Sequence, residues 1–190
     1  MLRVLSILII LLTLSCAQKA TFREILGKDT VRARVELVRN PSHNLAIQKV
    51  ALRNLKDKLL NPPPDVKLKL KVMKKEGKLQ LTEGSNADLV ISMELKKLRY
   101  EEKRYKTKEE DMDITYFCVE RQATADVLFN VMNAKSKEVL FAKVYKGGFY
   151  KRYCDEKGYK SEKLPKPDFI KLKAIEDAEE AFVREFYSLL

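Results

Sequence analysis

The chain has 190 residues, 45% of them hydrophobic, enough for one core and too few for several independent ones. Six glycines and six prolines exclude a low-complexity or collagen-like chain, and one histidine with three cysteines leaves no His/Cys cluster to hold a metal. The formal net charge of +11 favours an anionic partner, such as acidic lipid headgroups, lipopolysaccharide or an acidic protein face, although a surface laced with solvated Lys–Glu pairs has the same composition.

Residues 1–15 carry one cation, Arg3, followed by an apolar run over residues 4–14 and then Ser15. A charged start, an apolar centre and a small residue before a cut site are the marks of an export signal. The run of about 11 residues falls short of the roughly 20 that span a bilayer. Leu12, Thr13, Leu14, Ser15 and Cys16 resemble a bacterial lipobox, which implies cleavage before Cys16 and a lipid on its sulfur. Ala17, rather than Asp, at the next position points to the outer of two membranes. Residues 16–30 then form a lipidated tether and domain entry. An ordinary secretory signal would leave the cysteine unmodified, and an uncleaved segment would stay in the membrane. Export argues against nucleic acid as the anionic partner.

Residues 31–38 alternate, with Val31, Ala33, Val35 and Leu37 on one face and Arg32, Arg34 and Glu36 on the other, the pattern of a half-buried strand. Asn40-Pro41-Ser42 breaks it. Residues 45–60 read as a helix with Leu45, Leu52, Leu55 and Leu59 near one face, ended by three prolines. Residues 66–73 alternate again, Val66, Leu68, Leu70 and Val72 against Lys67, Lys69 and Lys71, and are expected to form a strand with a lysine row that is solvated or guards an edge. After a turn at 83–86, Leu89, Ile91, Met93 and Leu95 mark a strand running on to Tyr100. The charged residues 101–113 read as a hairpin loop.

Residues 114–132 read as a strand broken or bulged near 120–122, because about 19 residues exceed a usual strand. A turn at 133–137 returns the chain through residues 139–150, with Gly147-Gly148 expected to be a bulge or twist. A polar loop over 154–167 leads to a last helix, 169–190, capped by Asp168, with Leu172, Ile175, Phe182, Phe186 and Leu189 at helical spacing. The fold expected is α+β: one domain over residues 31–190, a two-layer sandwich in the order β-α-β-β-β-β-α, with one mostly antiparallel four- to five-stranded sheet packed on two helices.

The 133–137 turn places Cys118 opposite Cys154 across the far end of the hairpin. Opposed strand residues satisfy the roughly 7 Å limit for a disulfide, and the bond would close a loop of about 37 residues. A redox-active pair or two free thiols would be the alternatives, but no Cys-x-x-Cys spacing favours the first.

Chemistry is sparse. There is no Gly-rich phosphate loop and no Gly-x-Ser-x-Gly elbow. His43 stands alone near a helix start, a capping or surface position. The carboxylates Glu109-Glu110-Asp111 and Glu179-Glu180 read as solvated, in a loop and on a helix exterior. The expectation is no enzyme and no cofactor. Two patches interleave rings with cations, Arg99, Tyr100, Lys103, Arg104 and Tyr105 in one, and Phe149, Tyr150, Tyr153 and Tyr159 with Lys151, Arg152, Lys157 and Lys160 in the other. Amphipathic rings beside cations suit an anionic ligand or a protein rim. Arg99, Lys103, Arg104, Tyr150, Lys151, Arg152 and Tyr153 are therefore the candidate binding residues.

The layout resembles the envelope-assembly lipoproteins of bacteria, and within them the lipopolysaccharide-assembly lipoprotein family that plugs the outer-membrane translocon. The resemblance rests on the lipobox cysteine, the element order and a strand opening Ala87-Asp88-Leu89-Val90-Ile91. It rests also on the hairpin built on residues 125–131 and 137–141 and on a last helix with Ala174, Ala178 and Ala181. Where that family often has Gly-Tyr or Gly-Phe after the cysteine, this chain has Ala17-Gln18-Lys19. The resemblance implies a non-enzymatic accessory protein, held by a lipid anchor on the periplasmic face of the outer membrane. Its partner would be an envelope protein such as an outer-membrane barrel, with an anionic glycolipid as a further ligand. A carrier lipoprotein holding a lipid or small molecule between sheet and helices is the alternative. A cavity lined by Leu89, Ile91, Val127 and Phe129 would mark it.

Overall fold

A computed structural model describes residues 21–74, 78–109, 111 and 114–190; residues 1–15, read above as an export signal, and Cys16 lie outside the described residues. Among those described, no helix is long and apolar enough to cross a membrane. The first element is a short helix, α1 (Phe22–Leu26), started by a capping box between Thr21 and Glu24 and stopped by Gly27 at φ 62°, a left-handed position that glycine takes without strain. Phe22 is buried with its ring 5.3 Å from that of Phe186, so the domain entry docks while Ile25 stays exposed.

Strand β1 (Val31–Leu37) buries Val31, Ala33 and Val35. Helix α2 (Leu45–Leu60) starts at Asn44, whose side chain accepts from the Ala46 amide, and buries Ile47, Gln48, Ala51, Leu55 and Leu59. His43 next to the cap lies 3.4 Å from the Lys96 carbonyl.

The second alternating stretch is not a strand. It is helix α3 (Pro64–Val72), with proline at its start and Asp65 in its first turn, both favourable at a helix N-terminus. Leucine and lysine are good helix formers, so a period of two lost to local propensity and the proline start. Only Val66 and Leu70, one turn apart, are buried. The edge strand that does form is β2 (Leu79–Leu81), three residues with too little pattern to be read beforehand.

The sheet has five strands in the order β2-β1-β3-β4-β5. β1 runs parallel to β2 and β3. The long strands β3 (Leu89–Glu109), β4 (Ile114–Asn133) and β5 (Val139–Asp155) form an antiparallel meander. The charged segment after Tyr100 is therefore strand up to Glu109, paired residue by residue with β4. No irregularity falls at 120–122. The breaks lie between Leu95 and Lys97 on β3 and between Val131 and Met132 on β4. The extra residue, Lys96, switches the parity of β3: odd residues Leu89 to Leu95 face the core, and Leu98 and Tyr100 take over beyond it.

Helix α4 (Pro167–Leu189) lies across β4 and β5 on the same sheet face as α2. Pro167 opens it and Lys166 is its N-cap, so Asp168 sits inside the first turn, paired with Lys171 at 3.3 Å, and is not the cap. Ile170, Ala174, Ile175, Ala178, Phe182, Val183 and Phe186 are buried. The ring of Phe129 stacks on Phe182 at 4.2 Å. Full burial of each such side chain contributes about 1.5–3 kcal/mol. Gly147 and Gly148 pair in unbroken register with Ala125 and Thr124. Gly147 serves a different end: a Cβ there would fall 2.0 Å from the Ala174 carbonyl oxygen, so its bare backbone sets how closely α4 approaches the sheet.

Candidate interaction surfaces

Past the first turn of α4, β3, β4 and β5 continue together, and this ribbon collects both basic–aromatic patches. Lys103 pairs with Glu120, which pairs with Arg152; Arg104 pairs with Val119, which pairs with Tyr153; Arg99 pairs with Thr124. The two patches, some fifty residues apart in sequence, are thus neighbours in space. Strand alternation then divides them. Arg99, Lys103, Tyr150 and Arg152 lie on the face away from the helices. Arg104, Lys151 and Tyr153 lie on the helix side.

On the open face one carboxylate organises the cluster. Glu120 accepts from the Tyr150 hydroxyl at 3.2 Å and the Tyr105 hydroxyl at 3.4 Å, and the Arg152 guanidinium donates to Tyr105 at 3.5 Å. Partial burial, then the bond to Glu120, raises the Tyr150 phenol above its usual range, and the bond to Tyr105 raises Arg152. The Tyr150 hydroxyl stays protonated and keeps its donor. Lys103 lies 3.4 Å from Glu101, whose carboxyl is lowered first by the Gln122 amide. Tyr150 is 48% exposed. The arrangement offers hydrogen-bond donors and cations around exposed ring surface, suited to phosphate, carboxylate or an acidic protein rim.

The helix-side residues are committed to holding the fold. The Arg121 guanidinium donates to Glu102 at 2.8 Å and to the carbonyls of Pro165 at 2.8 Å and Leu164 at 3.3 Å. Arg104 donates to Glu102 at 3.0 Å and to the Ser161 hydroxyl at 3.1 Å. These two arginines hold the Glu102 carboxyl below its ordinary range. They also strap the segment before α4 onto the ribbon. Lys151 lies over the Phe149 ring, and Tyr153 donates to Asp155.

Cys118 and Cys154 are directly opposed in the register and joined by a disulfide. The bulge at Val131/Met132 sits beside the turn, so the pairing beyond it stays in step over the length of the hairpin. The bond staples the far end of β4 to β5, next to Tyr105 on β3.

A second feature departs from the sequence reading. Glu179 is fully buried between α2 and α4, with one carboxylate oxygen 2.9 Å from the Lys58 ammonium and the other without a partner. Burial pushes its pKa up to about 7 against the pull of Lys58. Its neighbour Glu180 is the solvated one of the pair, near Arg184 at 3.6 Å. The helical period of α4, with Ile175, Ala178 and Phe182 buried around it, was the signal that position 179 turns inward.

No family model matches the chain. Solved structures it is similar to include a minor lipoprotein from Acinetobacter baumannii, at 11% identity over 83% of this chain and 90% of that one, with a TM-score of 0.34. The hypothetical protein CT253 from Chlamydia trachomatis is similar at 9% identity over 84% and 94%, with a TM-score of 0.41. The PelC dodecamer from Paraburkholderia phytofirmans is similar at 10% identity over 80% and 87%, with a TM-score of 0.34. Likeness at this level carries nothing about what the chain does.

Proposed function

We propose that this chain is a non-enzymatic, lipid-anchored accessory protein of the bacterial envelope. Cys16 carries the lipid, the outer membrane holds it, and the open face of the ribbon meets an envelope partner. The observation that carries this reading is the placement of the two ends. Cys16 precedes Phe22 by six residues, which at about 3.6 Å per residue keep the body within about 22 Å of the lipid. Phe22 docks beside Phe186, and Lys28 pairs with Asp88 at the start of β3. From Leu89 to Lys103 the strand runs about 45 Å at 3.3 Å per residue. Phe22 and the basic–aromatic face thus lie toward opposite ends of the body, so a tether leading to Phe22 leaves that face free for an envelope partner. A barrel rim or an anionic glycolipid in transit, as the lipopolysaccharide-assembly resemblance implies, meets that description.

The carrier alternative finds less support. Leu89, Ile91, Val127 and Phe129 are all fully buried, and the rings of Phe182 and Tyr145 occupy the space over Phe129 at 4.2 Å and 5.7 Å. The test is purification of the tagged protein from its native membrane with mass spectrometry of the first mature peptide. A diacyl-thioether mass on Cys16 and co-purification of an envelope protein that is lost in the Arg99→Ala/Lys103→Ala/Arg152→Ala variant support the reading. A bare cysteine in a chain recovered from the cytosol ends it.

A further inference from the structure

α3 turns apolar side chains outward as well as inward. At about 100° per residue, Val66 and Leu70 lie within about 40° of each other and face the body, while Leu68 and Val72 lie within about 40° of each other on the opposite side. The inward pair is buried; Leu68 is 66% and Val72 76% exposed. The same geometry places Lys67 and Lys71 on one flank of the outer pair and Lys69 on the other. The single acidic residue of the helix, Asp65, is bonded to Arg184 at 3.1 Å. Single exposed leucines are ordinary. An i, i+4 apolar pair ringed by three lysines is the composition of a helix that lies on an anionic membrane surface.

Its position agrees. Val66, Leu70 and Met73 enclose a cleft with Tyr187 and Ser188 on the last turn of α4. α1 docks on Phe186 of that same turn. The outer face of α3 and the point where the chain leads back to Cys16 therefore share one end of the molecule, opposite the ribbon.

We propose that the outer face of α3 is a membrane-docking element: Leu68 and Val72 enter the headgroup boundary of an anionic phospholipid leaflet, with Lys67, Lys69 and Lys71 among its phosphates. Charge complementarity selects lipid over a protein groove. The lysines are flexible point charges that snorkel, and the outer pair includes no aromatic anchor of the kind that dominates protein interfaces. A nine-residue helix binds weakly alone. Beside a tethered lipid it acts at high effective concentration, and two attachment points fix the orientation of the body where one would let it swivel. This rests on the anchor reading for that effective concentration and that orientation.

The test uses the mature protein purified from membranes, with Val72→Cys or, as control, Tyr150→Cys carrying a polarity-sensitive fluorophore, on vesicles of phosphatidylethanolamine and phosphatidylglycerol doped with headgroup-region nitroxide lipid. The expected result is at least twofold stronger quenching at position 72 than at 150. That difference should be lost on phosphatidylcholine vesicles and in a Lys67→Gln/Lys69→Gln/Lys71→Gln variant. Equal quenching at the two positions, on vesicles that carry the protein in flotation, overturns α3 docking and leaves the lipid anchor standing. Quenching at 72 with a bare Cys16 by mass spectrometry overturns the anchor and supports α3. A protein that does not float overturns both.

Discussion

Replacing Gly147 with alanine puts a methyl carbon 2.0 Å from the carbonyl oxygen of Ala174 and 2.6 Å from the nitrogen of Ala178. Both neighbours are helix backbone, so no side chain can rotate away, and α4 must retreat by more than 1 Å. A radial gap of 0.5–1 Å already forfeits about a quarter to a half of each contact's dispersion energy, and α4 carries Ile170, Ile175, Phe182 and Phe186 into that contact. Overpacking costs about 1–3 kcal/mol where side chains adjust; with backbone on both sides the upper end applies. The lost flexibility of glycine in the unfolded chain returns only about 0.4–1 kcal/mol. The net expectation is a loss of about 2–3 kcal/mol, or a Tm lower by roughly 4–12 °C for a chain of this size. Gly148→Ala is the control: its nearest neighbour would be the Ala123 carbonyl oxygen at 3.9 Å, ordinary contact, and it should stay within about 0.5 kcal/mol of the parent. Guanidinium denaturation with the disulfide intact measures both. If Gly147→Ala lies within 1 kcal/mol of Gly148→Ala, close approach of α4 is not what this glycine provides.

Replacing both Cys118 and Cys154 with alanine should cost about 4 kcal/mol in the chain-entropy account of a loop near 37 residues, read as a shift in denaturation midpoint; a shift under 1 kcal/mol would contradict a stapling role. Glu179 has a folded-state pKa near 7 against about 4.3 when unfolded. The folded chain therefore binds the extra proton between those values, and stability falls as pH rises through that window. Glu179→Gln removes the fall, with Lys58 keeping Glu176 at 3.5 Å. The variant should gain on the parent at pH 8 and not at pH 5 in urea midpoints; the same difference at both pH values would be the wrong result. Arg121→Ala strips the strap from the carbonyls of Leu164 and Pro165 and should cost about 2–3 kcal/mol, with faster amide exchange confined to residues 156–166 and the ribbon. Unchanged exchange there would show that the segment is held by other contacts.

The sequence by itself determined the elements whose local pattern and tertiary environment agree. β1 alternates because one face of it is buried, and at the start of β3 the odd residues Leu89 to Leu95 face the core. α4 keeps its helical period because a single stripe meets the sheet. Turn arithmetic brought Cys118 and Cys154 within one step of each other, and the extra residue Leu140, between Val139 and Phe141 on β5, set them directly opposite. Tertiary structure decided the rest. Alternation at 66–72 was met by a helix, because the proline start and the helix-forming Leu and Lys outweighed the period of two, and packing then buried only Val66 and Leu70. The charged residues 101–109 became strand because β4 supplied a partner, and pairing is non-local. Glu179 went inside because its helix face met α2, while the identical residue beside it stayed in water. Which face Arg99, Lys103 and Arg104 take was fixed by one inserted residue, Lys96, since a single extra step inverts the side-chain parity of everything that follows it in the strand, and the β4–β5 register set the faces of Tyr150, Lys151, Arg152 and Tyr153.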